Sequence, residues 1–209
     1  MKRQGWTLLI IILLYTGLSI FDNTYIFTDD FFYEGLNESF SRDTIETILN
    51  SEAHLGWIGF VALLFIIIIK VLFMTFCVTT GAIFTDTSFS IKDIFQAVLY
   101  SEFIFLASQI TYSLNLFFNR EFLTIENAGN FYPLSVLSFF NVENVVPWLH
   151  YPLQTLNLFE VAYVICIAWL LSKQWKPNFV ESLNIVIPSY GLGLLVWMVL
   201  VVFLTLQVS

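Results

Sequence analysis

Charge is what this chain has least of. Only 11% of its 209 residues are Asp, Glu, Lys or Arg, under half the share of a soluble globular domain, so most of its surface is not built for water. The 8 basic residues form no run longer than Lys2-Arg3, which excludes the clustered Lys and Arg that phosphate backbones require, and with them a nucleic-acid partner. Cysteine is equally sparse. Cys77 and Cys166 both lie inside apolar segments, so no disulfide framework is indicated and packing is their default role. The two histidines, His54 and His150, show no H-E-x-x-H spacing, and no glycine-rich phosphate loop, G-x-S-x-G elbow or aspartate pair at membrane depth is present. No metal, cofactor or catalytic residue is called for.

Apolar residues make up 58% of the chain and the mean hydropathy is +0.80. They come in uninterrupted runs, where the strands of a lipid-facing barrel would alternate residue by residue, so the predicted class is all-α. The organising pair is Leu55 to Phe84 and Ile94 to Phe118, joined by the polar turn Thr85 to Asp93. The first run carries one charge, Lys70, and at the helical rise is about 45 Å long, enough to cross a hydrocarbon core of about 30 Å. The whole chain, 1–209, reads as one transmembrane bundle of five helices at about 6–21, 55–84, 94–118, 153–171 and 179–207, with loops 22–54 and 119–152. Met1-Lys2-Arg3 ahead of Trp6 to Phe21 has the order of a signal peptide or anchor, with Gly17-Leu18-Ser19 as a small-x-small site, and is taken as the first helix.

Local signals mark the ends. Asp43-Thr44-Ile45-Glu46 resembles a capping box, with Ile45, Ile48 and Leu49 at helical spacing, and predicts a short amphipathic helix feeding the second span. Ser90 with Asp93 starts the third span, Asn178 with Glu181 starts the fifth, and Pro188-Ser189-Tyr190-Gly191 predicts a kink within it. The loop 119–152 is half apolar and is expected at the membrane surface. Asn37-Glu38-Ser39 matches the glycosylation sequon, a triplet common by chance. Counted loop by loop, Lys2, Arg3, Lys92, Lys173 and Lys176 fall on one side of the five-helix arrangement and Arg42 and Arg120 on the other. That bias places the N-terminus inside and the C-terminus outside, with the acidic 22–54 loop outside.

Charges at bilayer depth need a reason, since each costs about 2.5 to 3.5 kcal/mol on insertion scales. Lys70, Glu102 and Glu160 are the candidates, and the expectation is a lysine held between two carboxylates, acting as a structural ion pair or as a proton or ion relay. The third helix also shows a polar face, Ser101, Ser108, Gln109, Tyr112 and Asn115, and Asn157 and Glu160 follow at three-residue steps in the fourth. Such a face must look into protein or a cavity.

Two stretches add a resemblance. Ser88-Phe89-Ser90-Ile91-Lys92-Asp93-Ile94-Phe95 with Tyr100-Ser101, and Thr155-Leu156-Asn157-Leu158-Phe159-Glu160, together with the order of spans, resemble the Yip1-domain family of five-helix membrane proteins. The chain lacks that family's long N-terminal region and a glycine pair in the turn. The resemblance implies a non-enzymatic integral membrane protein that works through partner proteins. The expectation is therefore an accessory subunit of a larger complex in a bacterial inner membrane, in contact with lipid and other membrane proteins. The alternative is a small transporter or permease subunit with a Lys/Glu relay.

Overall fold

A computed structural model of the chain describes residues 2–37, 39–85, 90–174 and 178–208. Glu38 of the sequon, Ser88-Phe89 of the 85–93 turn and Lys176 lie outside the described residues. Among the described residues there are eight α-helices and no strands: α1 Lys2–Tyr25, α2 Asp29–Leu36, α3 Arg42–Phe84, α4 Ile91–Phe118, α5 Ile125–Asn130, α6 Pro147–Thr155, α7 Leu158–Gln174 and α8 Phe179–Val208. Four stretches, Gln4–Tyr25, His54–Phe84, Ile91–Phe118 and Phe179–Gln207, are long and apolar enough to cross a membrane.

The boundaries follow the caps, and several depart from expectation. α1 continues past Phe21 to Tyr25, which takes Asp22 out of the loop and into the helix. In α3, Ser41 is the cap. Its Oγ accepts from Thr44 N at 3.3 Å, and the expected amphipathic helix and second span are one continuous 43-residue helix, about 65 Å long. Ser90 is the N-cap position of α4 but makes no side-chain bond there. Asn178 and Glu181 form a reciprocal box at the start of α8, each backbone N–H 3.0 Å from the other's side-chain oxygen. α8 runs unbroken through Pro188, and Ser189 Oγ donates to Ile185 O at 2.6 Å.

The expected fourth helix, 153–171, is corrected to two. α6 stops at Thr155 and α7 starts at Leu158, because Leu156 is extended and Asn157 Oδ1 caps the new helix by accepting from Glu160 N at 2.9 Å. The loop ahead of α6 fastens the break. Val136 N donates to Leu156 O at 2.9 Å and Leu158 N to Leu134 O at 3.1 Å, around an isolated bridge between Ser135 and Asn157. Leu134 reaches that position from a Pro133-led turn with φ of 57°, the left-handed region that glycine usually fills.

Four helices close a ring in the order α3, α4, α7, α8, with α8 packed back on α3, and α1 lies along α4 outside it. The inward stripe of α3 is Ile67, Val71, Met74, Val78 and Ala82; α7 contributes Tyr163, Ile167, Ala168 and Leu171; α4 contributes Ile94, Ala97, Val98 and Leu99. The outward faces stay apolar: Phe65, Ile66, Ile69, Leu72 and Phe76 of α3 and Leu192, Leu195, Val199 and Phe203 of α8 are exposed. In water such a surface would drive aggregation, and in lipid it is the contact surface.

α3 and α8 approach each other over small residues. A Cβ at Gly81 would lie 2.6 Å from Ser189 Cβ, and one at Gly193 would lie 2.6 Å from Cys77 Sγ. Gly56 and Gly59, higher on α3, have nothing within 4 Å of that position. Gly81→Ala is therefore predicted to destabilise the protein by about 1–3 kcal/mol through overpacking. Gly56→Ala is predicted to stabilise it by up to about 1 kcal/mol through helix propensity. Thermal unfolding of the two variants in one detergent checks the signs, and equal shifts would refute the close-approach account.

Candidate functional site

Each ring helix brings one polar side chain to the same level, about 11 to 14 residues, or roughly 16 to 21 Å, from the bundle end where α3 meets α4 and α7 meets α8. Lys70 comes from α3, Glu102 from α4, Tyr163 from α7 and Tyr190 from α8. Lys70 Nζ is 3.1 Å from Glu102 Oε2. The other carboxylate oxygen, Oε1, accepts from the Tyr163 hydroxyl at 2.8 Å. Glu102 keeps only 2% of its side-chain surface, while Lys70 retains 29%. The ammonium also sits over two aromatic faces, 3.3 Å from the Phe105 centroid and 5.3 Å from that of Tyr163. Both carboxylate oxygens and the cation are thereby satisfied inside the bundle.

Glu160 is where the expectation changes. Lys70 is not clamped between two carboxylates, because Glu160, in the first turn of α7, accepts a hydrogen bond from the Tyr190 hydroxyl of α8. The Asn157 cap sets that direction. The Tyr163 and Tyr190 rings lie 5.5 Å apart between the two pairs.

The predicted polar face of α4 divides. Ser101 is fully buried and donates to Ala97 O at 2.9 Å within its own helix. Ser108 is half-buried. Tyr112 donates to Ala128 O at 3.2 Å and stacks on Phe131, tying α4 to the loop segment beyond it. Asn115 is a correction: it is exposed, and Ser113 holds the buried position on that turn. The inward direction of α4 follows Glu102, Leu106, Gln109, Ser113 and Leu116, one residue off the predicted stripe. Gln109 Nε2 reaches Asp22 Oδ2 of α1 at 3.4 Å.

Asp22 opens a second polar region. It is 6% exposed, and its Oδ1 has no hydrogen-bond partner. It lines a cavity of about 910 Å³ between α1, α3 and α4 at the end of the bundle that carries α2. Tyr15, Ser19 and Asp22 line it from α1 at i, i+4 and i+7, a helical stripe visible in the sequence. The stripe escapes notice because Tyr15 counts as apolar and Asp22 falls beyond the apolar run. Tyr163 and Tyr190 escape for the same reason as Tyr15. A smaller apolar cavity of about 470 Å³ lies between α3 and α8 beside Cys77 and Pro188.

His54 is exposed, and His150 Nε2 lies 2.9 Å from Val145 O. Among the described residues no three of His, Cys, Asp and Glu group as metal ligands. Cys77 and Cys166 are both free thiols. No known protein family, no curated protein and no solved structure matches this chain.

Removing one partner of the ion pair strands the other. Lys70→Met is predicted to destabilise the protein by about 3 kcal/mol, because Glu102 is left buried without its cation, and the double variant Lys70→Met/Glu102→Gln is predicted to recover most of that loss. Unfolding in mild detergent measures the cycle. Additive effects would show that the 3.1 Å pair contributes nothing of its own.

Proposed function

We propose that the protein is a non-enzymatic integral membrane subunit of a larger inner-membrane complex, spanning five times, N-terminus in and C-terminus out. α7, 17 residues or about 25 Å, serves as the fifth span, since it is packed between α4 and α8 and needs little lipid contact of its own. The observation that carries this reading is the mid-level network. Lys70 and Tyr163 bond to Glu102, and Tyr190 bonds to Glu160, so the polar groups at that depth are committed to holding the four ring helices in register. Partner contact then falls to the outer elements, α2 and the first turns of α3. A Yip1-like role, acting through other membrane proteins, agrees with this division.

A second reading has one observation in its favour. Tyr15 lines the large cavity and also packs against the buried core of the bundle, so one side chain borders both the cavity and the bundle interior. On that reading the protein is a small transporter or permease subunit, and the Lys70–Glu102 pair is its gate or relay.

The experiment is co-purification with flux. In mild detergent the protein is expected to bring down another membrane protein in stoichiometric amount, and liposomes holding it alone are expected to maintain an imposed pH gradient. A protein that purifies alone and dissipates the gradient, with dissipation lost in the Lys70→Met/Glu102→Gln variant, would replace the subunit reading with the transporter one. Orientation is read separately. With Cys77 and Cys166 replaced by alanine, a single cysteine at Thr205 should react with a membrane-impermeant maleimide from outside the cell, and protection there would reverse the topology.

A further inference from the structure

The large cavity between α1, α3 and α4 has a chemical character of its own. Asp22 is its buried acid, 6% exposed, with no hydrogen bond to Oδ1; the Ser113 hydroxyl of α4 stands beside the carboxylate, and Oδ2 meets a long 3.4 Å contact from Gln109, so its polar neighbours are neutral. A second carboxylate, Asp29, stands exposed at the rim. Among the described residues no Lys, Arg or His lines the space. The neighbouring cation, Arg120, is turned to Thr28 Oγ1 at 3.4 Å and is not part of the lining. A carboxylate buried without a counter-charge is costly, and a cation that enters the space relieves it.

Trp57 and Phe60 from α3, with Phe27 and Phe32 from the segment after α1, supply the aromatic part of the lining. Gly56 and Gly59 keep the α3 side open, as neither has an atom within 4 Å of where a Cβ would stand. Ring faces attract a weakly hydrated organic cation, while a hydrated metal ion wants a closed set of oxygens, and among the described residues no such acidic grouping exists. The volume of about 910 Å³ also far exceeds what a bare ion fills.

We propose that this cavity binds an alkylammonium group, with Asp22 as counter-ion and Trp57 as an aromatic wall. The ammonium comes either from a free solute or from a zwitterionic lipid headgroup, two sources of one chemistry. Among the described lining residues none takes part in the Lys70–Glu102–Tyr163 hydrogen-bond network that carries the subunit reading.

Two arms test it on the full-length protein. Choline chloride is titrated into protein in dodecyl maltoside, against sodium chloride at equal ionic strength, with heat of binding as the readout. In parallel, protein extracted from membranes holding phosphatidylethanolamine is examined by native mass spectrometry for retained lipid. Saturable choline binding supports a solute source, and retained phosphatidylethanolamine supports a headgroup source. In either arm Asp22→Asn is expected to weaken binding at least tenfold. Gly59→Leu, which fills the space and leaves Asp22 in place, is expected to abolish it. Lys70→Met/Glu102→Gln is expected to leave it unchanged, so a failure of the site is distinct from a failure of the subunit reading. No binding in either arm, binding that survives Asp22→Asn or Gly59→Leu, or equal saturation by sodium overturns the proposal.

Discussion

The structure depends on one contact made far from water, the ion pair between Lys70 and Glu102. A lysine near the middle of a span is admissible only if its charge is met inside the bundle. α3 and α4 are adjacent in sequence and packed together, so the pair forms between neighbours. Tyr163 then satisfies the remaining carboxylate oxygen from α7, and Tyr190 of α8 closes on Glu160. Four helices are thus fixed at one level by polar bonds, while dispersion and small-residue contacts do the rest. Where only lipid and side-chain packing would otherwise act, these directional bonds choose one register among many.

Ring closure also explains why the two ends of the molecule differ. Toward the α3–α4 connection the inward stripes are continuous, and Ile94, Ala97, Val98, Ile167, Ala168 and Leu171 are all fully buried. Toward the opposite end the glycines at 56 and 59 offer no side chain, and α1 touches the ring mainly through α4. The gap that results is the large cavity. One end of the bundle is closed by its packing and the other is left open by it.

Much of this was legible in the sequence, for stated reasons. Long apolar runs with single charges fix the helices and the placement of Lys70 and Glu102 on adjacent spans. The capping residues Asn178 and Glu181 mark the start of α8. What escaped depends on tertiary contact. Asn157 reads as one more polar step on a helix face, and only the strand-like clasp between Leu134–Val136 and Leu156–Leu158 shows that it begins a new helix. Glu160 is redirected by that cap. Tyrosine hides in a hydropathy count because its ring is apolar and its hydroxyl is not, so Tyr15, Tyr163 and Tyr190 carried no signal until their partners were known. Asn115 and Ser113 show that a polar stripe assigned without its neighbours can be off by one position.

The 43-residue α3 has a mechanical consequence. Its first turns stand beyond the apolar span that begins at His54, and the same rod passes the ion pair at Lys70 before ending at Phe84. Unbroken and pinned part-way along its length, it is a lever with its fulcrum in the oil. A displacement of the Arg42 end would be carried along one unbroken helix toward the Gly81–Ser189 contact with α8.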